Sequence, residues 1–312
     1  MSVYNLFSLF GGTSVRRSAL LFGVDNRPTW AFAAFLRDVQ VPGRDLIAID
    51  YALQDRFFQK DKITGQPLER WELSEVNVSC PPNQFRRHLA ACGFLLSTEP
   101  EKKEYLRAAW PGALVVRAGA RLADLFGAWK SGVRWNEIVV FGGKRELQGP
   151  KENLMTYCFA VHPNAANVYG DGLKKLWRSN EPKTELQMIR FLWEAACLCY
   201  ADSTGEEMWK LPIIFVDAPM KPPATPGGKE QRPTTEDTIA EWLRMQPTPG
   251  SMLVSSGAPY GMAQDEAFQV LLTPHGHTVE MFGHSAPELP VENFMREVAG
   301  CVNRIRKARL PS

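Results

Sequence analysis

Three short clusters hold side chains able to bind or react. Ser255 and Ser256, followed by Tyr260 and Gln264, stand in the turn after the apolar run 252–254. Their hydroxyl and carboxamide groups exchange hydrogen bonds without carrying charge, which suits recognition of a polar ligand. Thr234, Thr235, Glu236 and Asp237 form a second cluster at the start of an apolar-periodic segment. Such residues ordinarily cap helices, and Glu236 and Asp237 are also candidate general bases. The third cluster is Gly142, Gly143, Lys144 and Arg145. The glycines permit close backbone approach and the cations can neutralise an anion, while a plain turn with solvated cations explains the same residues. The Lys-Ser/Thr signature of a P-loop is absent.

Other chemistries lack their residues. The chain has no nucleophile elbow and no HExxH. Its six cysteines form no CxxC pair and read as reduced, mostly buried thiols of an intracellular protein. Cys197 and Cys199 would point apart on a helix, while His275 and His277 read as solvated turn residues and His162 as a surface one; no metal is expected. A formal charge of +2 gives no global footprint for nucleic acid, leaving local patches such as Arg304, Arg306, Lys307 and Arg309 at the C-terminal end. No apolar run approaches the roughly 18–20 residues of a membrane span. Residues 1–24 contain Arg16 and Arg17 but no acidic side chain, as a transit-like arm does. A soluble protein of the cytoplasm or mitochondrial matrix is the expectation.

These clusters need elements to position them. Residues 252–283 read as strand, turn, helix and strand, the repeating unit of a parallel sheet, whose ligands sit beyond the carboxyl ends of the strands. Apolar runs predict strands at 19–24, 46–49, 113–116, 138–141 and 211–216. Asp50, after the second of these, could face a ribose but reads as a solvated strand end, because no GxGxxG precedes it. Periodicity and turn residues predict helices at 30–39, 84–96, 102–110, 120–131, 184–201 and 291–305, with 148–183 irregular. The proline-rich loop 218–233 is long enough to be a lid or a partner-binding segment. The fold class is α/β, Rossmann-like, a mostly parallel sheet with helices on both faces. It divides into an arm (1–18), an α/β extension (19–112), a core (113–290) and a C-terminal helix with a basic tail (291–312).

From 113 to 283 the order of elements resembles the YdcF/SanA/ElyC family of Rossmann-like proteins. Arg121 matches the arginine of that family's first helix, Gly142 and Gly143 its double-glycine turn, and Glu185 an early helical acid. Thr234, Thr235, Glu236 and Asp237 resemble its Thr/Glu motif, and Ser255 and Ser256 its Thr/Ser position. Where the family has histidine and arginine, this chain has Tyr260 and Gln264, which cannot neutralise phosphate as arginine can. The resemblance implies a pocket for an S-adenosylmethionine-like or nucleotide-like ligand.

Three functions compete. One is a binding domain for a small polar or anionic ligand at the carboxyl edge, with catalysis weak or absent. Another is a hydrolase or transferase using Glu236 or Asp237. The third is a non-catalytic subunit or assembly factor of a larger complex, such as a mitochondrial ribonucleoprotein, which nine tryptophans and a proline-rich loop would fit.

Overall fold

The β-branched and aromatic residues of 138–141 and 278–282 suit a pleated, packed surface, and both runs form strands. The computed structural model describes residues 17–59, 68, 73–147, 153, 156, 170–179, 181–200, 206–223, 228, 230–285 and 289–310. Its strands are β1 (Arg107–Pro111), β2 (Glu137–Gly143), β3 (Ile213–Ala218), β4 (Ser251–Ser255) and β5 (Thr278–Phe282). They form one sheet in the order β3-β2-β1-β4-β5, with every neighbouring pair parallel. The chain builds outward from β1 to β3, then returns to lay β4 beside β1. That reversal places a topological switch point between the carboxyl ends of β1 and β4.

The described helices of nine or more residues are α1 (Trp30–Asp38), α2 (Leu46–Phe57), α3 (Pro82–Ala91), α4 (Val115–Lys130), α5 (Gly170–Ser179), α6 (Glu185–Tyr200), α7 (Thr235–Arg244), α8 (Tyr260–Leu272) and α9 (Val291–Arg309), and a single turn of helix spans Glu206–Trp209. Side chains alternate across the sheet. Ala108, Trp110, Ile138 and Val140 enter the core formed with α4 and α6, while Phe141 meets Trp242 of α7 edge-on at 5.7 Å. Helices therefore cover both faces, which is why the central strands are almost wholly buried. This is a Rossmann-like α/β fold. Among the described residues no helix is long and apolar enough to cross a membrane.

Contacts divide the chain into two units. The first comprises Met1–Thr98, Gly257–Val270 and His284–Ser312, and the second, which holds the sheet, comprises Glu99–Ser256 and Leu271–Gly283. The first unit is helical, with Phe32, Phe35, Leu53, Phe85, Phe294 and Val298 in its core. In it Asp50, 1% exposed, accepts hydrogen bonds from Asn303 Nδ2 at 3.0 Å and Arg306 Nε at 2.5 Å, tying α2 to α9. A buried carboxylate must be paired in this way.

Several expected elements differ. Residues 19–24 are not a strand: a 3₁₀ turn at Arg17–Leu20 leads to a single bridge between Phe22 and Pro28. Residues 46–49 open α2, where Asp45 accepts from Ala48 N at 2.9 Å as an N-cap. Asp50 accordingly lies inside a helix and not at a strand end. No helix forms at 102–110, where 102–106 are irregular and 107–110 belong to β1; and 113–116 are not a strand but lead into and open α4. The division of the chain falls after Thr98 rather than after 112, and α9 belongs to the first unit's core instead of forming a separate tail. Within 148–183, taken as irregular, 170–179 form α5; His162 and Cys158 lie outside the described residues.

Candidate functional site

The carboxyl ends of β2, β1 and β4 carry Gly142 and Gly143, Gly112, and Ser255 and Ser256. Arg121, in the second turn of α4 and 3% exposed, joins two of these ends. Its Nη1 donates to the carbonyls of Pro111 at 2.8 Å and Gly112 at 2.7 Å, and its Nη2 donates to Ser256 Oγ at 3.1 Å. Ser255 Oγ donates to the carbonyl of Arg121 at 3.0 Å, and Ser256 N donates to the carbonyl of Phe282 at 2.7 Å. Both serines are completely buried. The pair expected to face a ligand instead locks α4 onto the strand ends.

The double glycine is likewise enclosed by protein. A Cβ built on Gly142 would lie 2.8 Å from Leu186 Cδ1, and one on Gly143 would overlap Pro233. The close approach that these glycines allow is made by α6 and by the residue before the α7 cap. The adjacent cations separate: Arg145 is buried, its Nε 3.8 Å from Glu185 Oε1, whereas Lys144 is exposed, its Nζ 4.0 Å from Asp217 Oδ2.

Thr234 to Asp237 make a reciprocal capping box. Thr234 accepts from Asp237 N at 3.4 Å, Asp237 Oδ2 accepts from Thr234 N at 2.6 Å, and Lys221 Nζ lies 2.7 Å from the same carboxylate. Although partial burial opposes it, the bonds from Lys221 and Thr234 hold the Asp237 carboxyl below the usual aspartate range. A carboxylate so committed is a cap and a poor proton acceptor. Thr235 and Glu236 are half-buried in the first turn of α7. Lys221 and Gln231 exchange backbone hydrogen bonds of 2.8 and 2.9 Å, closing the base of the proline-rich loop, and 224–227 at its tip lie outside the described residues.

Tyr260 and Gln264 lie on α8 in the other unit, the tyrosine buried and the glutamine half-buried. His277, expected in solvent, is 2% exposed and packs at a tilt against Trp242, ring centroids 5.1 Å apart. Burial, with Arg107 nearby, pushes its imidazole below the usual histidine range. The basic end of α9 is internal in part: Arg306 pairs with Asp50, and Arg309 Nη1 donates to the carbonyl of Gly23 at 2.6 Å.

A groove of about 610 Å³ lies beside the carboxyl ends of β2 and β3. Lys144 and Asp217 line its sheet side, and Lys183, Gln187, Arg190 and Glu194, with neighbours around the start of α6, line the other. Lys183 pairs with Glu181 at 3.0 Å. Arg190 is exposed; its guanidinium lies 4.7 Å from the Phe215 ring centroid, and no carboxylate among the described residues pairs with it. The amides of Lys183 and Thr184 donate to Gln187 Oε1, and that of Glu185 to the carbonyl of Arg145. Those three amides are therefore already committed, which leaves side-chain cations as the main anion-binding groups of the groove.

Sequence reasoning found Lys144 but missed Lys183 and Arg190. Arg190 stands on a strongly periodic helix and Lys183 just before its start, but nothing in the spacing said that this face borders a hollow. Comparison with family models, curated proteins and solved structures finds no match to this chain.

Proposed function

We propose that the protein binds a small polar anion, nucleotide-like or S-adenosylmethionine-like in class, in the groove at the carboxyl ends of β2 and β3. The observation that carries this reading is Arg190, stacked on Phe215 and without a carboxylate partner among the described residues, in a hollow that also contains Lys144 and Lys183. A guanidinium in this setting receives a phosphate or carboxylate through two parallel hydrogen bonds. Glu181, Glu194 and Asp217 are placed to accept from ligand hydroxyl or amino groups. The groove lies beyond parallel strand ends, as ligand sites of such sheets do, though to one side of the β1–β4 switch point.

Binding without catalysis fits best, because Asp237 caps a helix and Ser255 and Ser256 are committed to the backbone and Arg121. Descent from the YdcF/SanA/ElyC group, with its chemistry lost, accounts for Arg121, the glycine pair and the capping Thr/Asp as a retained framework. The test is a thermal-shift screen of nucleotides, S-adenosylmethionine and sugar phosphates. At least one of them is expected to raise the melting temperature, and the rise should disappear in Arg190→Gln; a flat response across the panel contradicts the proposal.

A second reading, docking to a protein partner, is favoured by the first unit. Val24, Trp30, Ile47 and Tyr51 are exposed there, and the carbonyl of Asn26 accepts from Leu46 N at 3.0 Å, joining the turn that bears Val24 to the start of α2. Exposed apolar groups of this kind mark interaction surfaces.

A further inference from the structure

Asp38, Cys80 and His88 come from three places in the first unit. Asp38 ends α1, Cys80 lies two residues before α3, and His88 is in the second turn of α3. Gln84 and His88 are one helical turn apart and share a face. Both reach Asp38 Oδ2, Gln84 through its Nε2 and His88 through an Nε2 contact of 2.7 Å. The two prolines that open α3 hold Cys80 beside them, where among the described residues the thiol makes one long contact, 3.7 Å, to the carbonyl of Pro81. One donor atom from each of Asp38, Cys80 and His88 lies within 4.8 Å of the other two.

We infer that Asp38, Cys80 and His88 form a binding site for a zinc-like divalent transition metal. A tetrahedral zinc ion has bonds of about 2.3 Å to sulfur and about 2.0–2.2 Å to nitrogen or oxygen. Those lengths place neighbouring donors about 3.3–3.6 Å apart. His88 and Asp38, 2.7 Å apart, would open by about 0.6 Å, and the Cys80 thiol, within 4.8 Å of both, would close by up to about 1.2–1.5 Å, shifts within reach of side-chain rotation. The mixed sulfur, nitrogen and oxygen set selects zinc or cobalt over magnesium or calcium, which prefer oxygen alone. Gln84 orients the carboxylate as an outer-shell partner. Three protein donors leave a fourth position for water, and it is reachable because the Asp38 and His88 side chains keep 18% and 17% of their exposure. A simple His–Asp bridge between α1 and α3 would account for two of these residues but not for the thiol within 4.8 Å of both.

The experiment uses the full chain, stripped with chelator and titrated with cobalt(II). One equivalent should produce visible ligand-field bands and a thiolate-to-cobalt charge-transfer band in the near ultraviolet, both abolished by an equivalent of zinc. Cys80→Ser should lose the charge-transfer band, His88→Gln should lose tight binding, and Gln84→Ala should weaken it by about 10- to 100-fold. X-ray absorption of the zinc-loaded wild type reports independently of any variant: one sulfur at about 2.3 Å among nitrogen and oxygen donors is expected. A first shell without sulfur, a charge-transfer band that survives Cys80→Ser in a folded protein, or no cobalt spectrum at all overturns the assignment.

Discussion

The carboxyl group of Glu185 fills the space that a side chain at Gly112 would need, since a Cβ built there lies 2.8 Å from Glu185 Cδ. The end of β1 and the first turn of α6 are thus fitted to each other at the sheet's carboxyl edge. Gly112→Ala need only turn aside the flexible end of the Glu185 side chain and should cost about 1 kcal/mol or less, read from denaturant unfolding. Gly127, exposed in the last turn of α4 with nothing within 4 Å of its built Cβ, is the control. Gly127→Ala should stabilise by about 1 kcal/mol through helix propensity.

Arg121 bridges two backbone carbonyls at the end of β1 and Ser256 beyond β4. Removing a buried cation that holds three oxygens leaves those acceptors without their donor. Arg121→Met should lower stability by on the order of 3 kcal/mol. Because Arg121 does not line the groove, chains that remain folded should bind ligand as before; the paired measurements are a urea titration and a binding isotherm.

His277 gives a pH dependence of definite sign. Burial depresses its folded-state pKa below the ordinary value of 6.5, so the unfolded chain binds more protons between those two values. Stability is fully present above pH 6.5 and declines as pH falls through that value toward the folded pKa. The groups facing the imidazole include Arg107, which also disfavours its protonation, and the Gly250 backbone, which opposes the shift. His277→Gln should flatten this part of the stability–pH curve, measured by melting at successive pH values.

Thr234→Ala removes the N-cap of α7 and should cost about 1 kcal/mol. The Asp237 pKa is lowered in the folded state, so its contribution is present above the ordinary aspartate value of 3.8 and disappears as pH falls through the folded pKa. Asp237→Asn should remove that acid-side loss and leave ligand affinity unchanged, whereas a catalytic or ligand-binding carboxylate would change affinity or turnover.

The parallel architecture was legible where local preference and burial agree. The runs around 138–141 and 278–282, and the helices around 184–201 and 291–305, are long or distinctive enough to identify. Short apolar runs are ambiguous between a buried strand and a buried helix. LIAI at 46–49 reads either way, and only Asp45 before it signals a helix start. RAAWP, which forms β1, has no β-branched residue and ends in proline, so its strand state comes from pairing with β2 and β4 rather than from propensity. The site was partly legible for a related reason. Glycines, serines and capping residues mark the ends of elements whether a ligand or the protein itself fills the space. At Gly142, Gly143, Ser255 and Ser256 it is protein that fills it.

The most direct test of the groove is isothermal titration of the tightest anion from the thermal screen into the wild type, Lys183→Gln and Arg190→Gln. Loss of a charged donor should weaken binding by about 1.5–3 kcal/mol, roughly 10- to 150-fold, with a further decrease as salt rises. Saturating ligand at about 100 times Kd should add about 2.7 kcal/mol of stability to the wild type, and less to the variants at that concentration. Equal affinities in all three proteins would place the ligand elsewhere and contradict the assignment of the hollow beside β2 and β3.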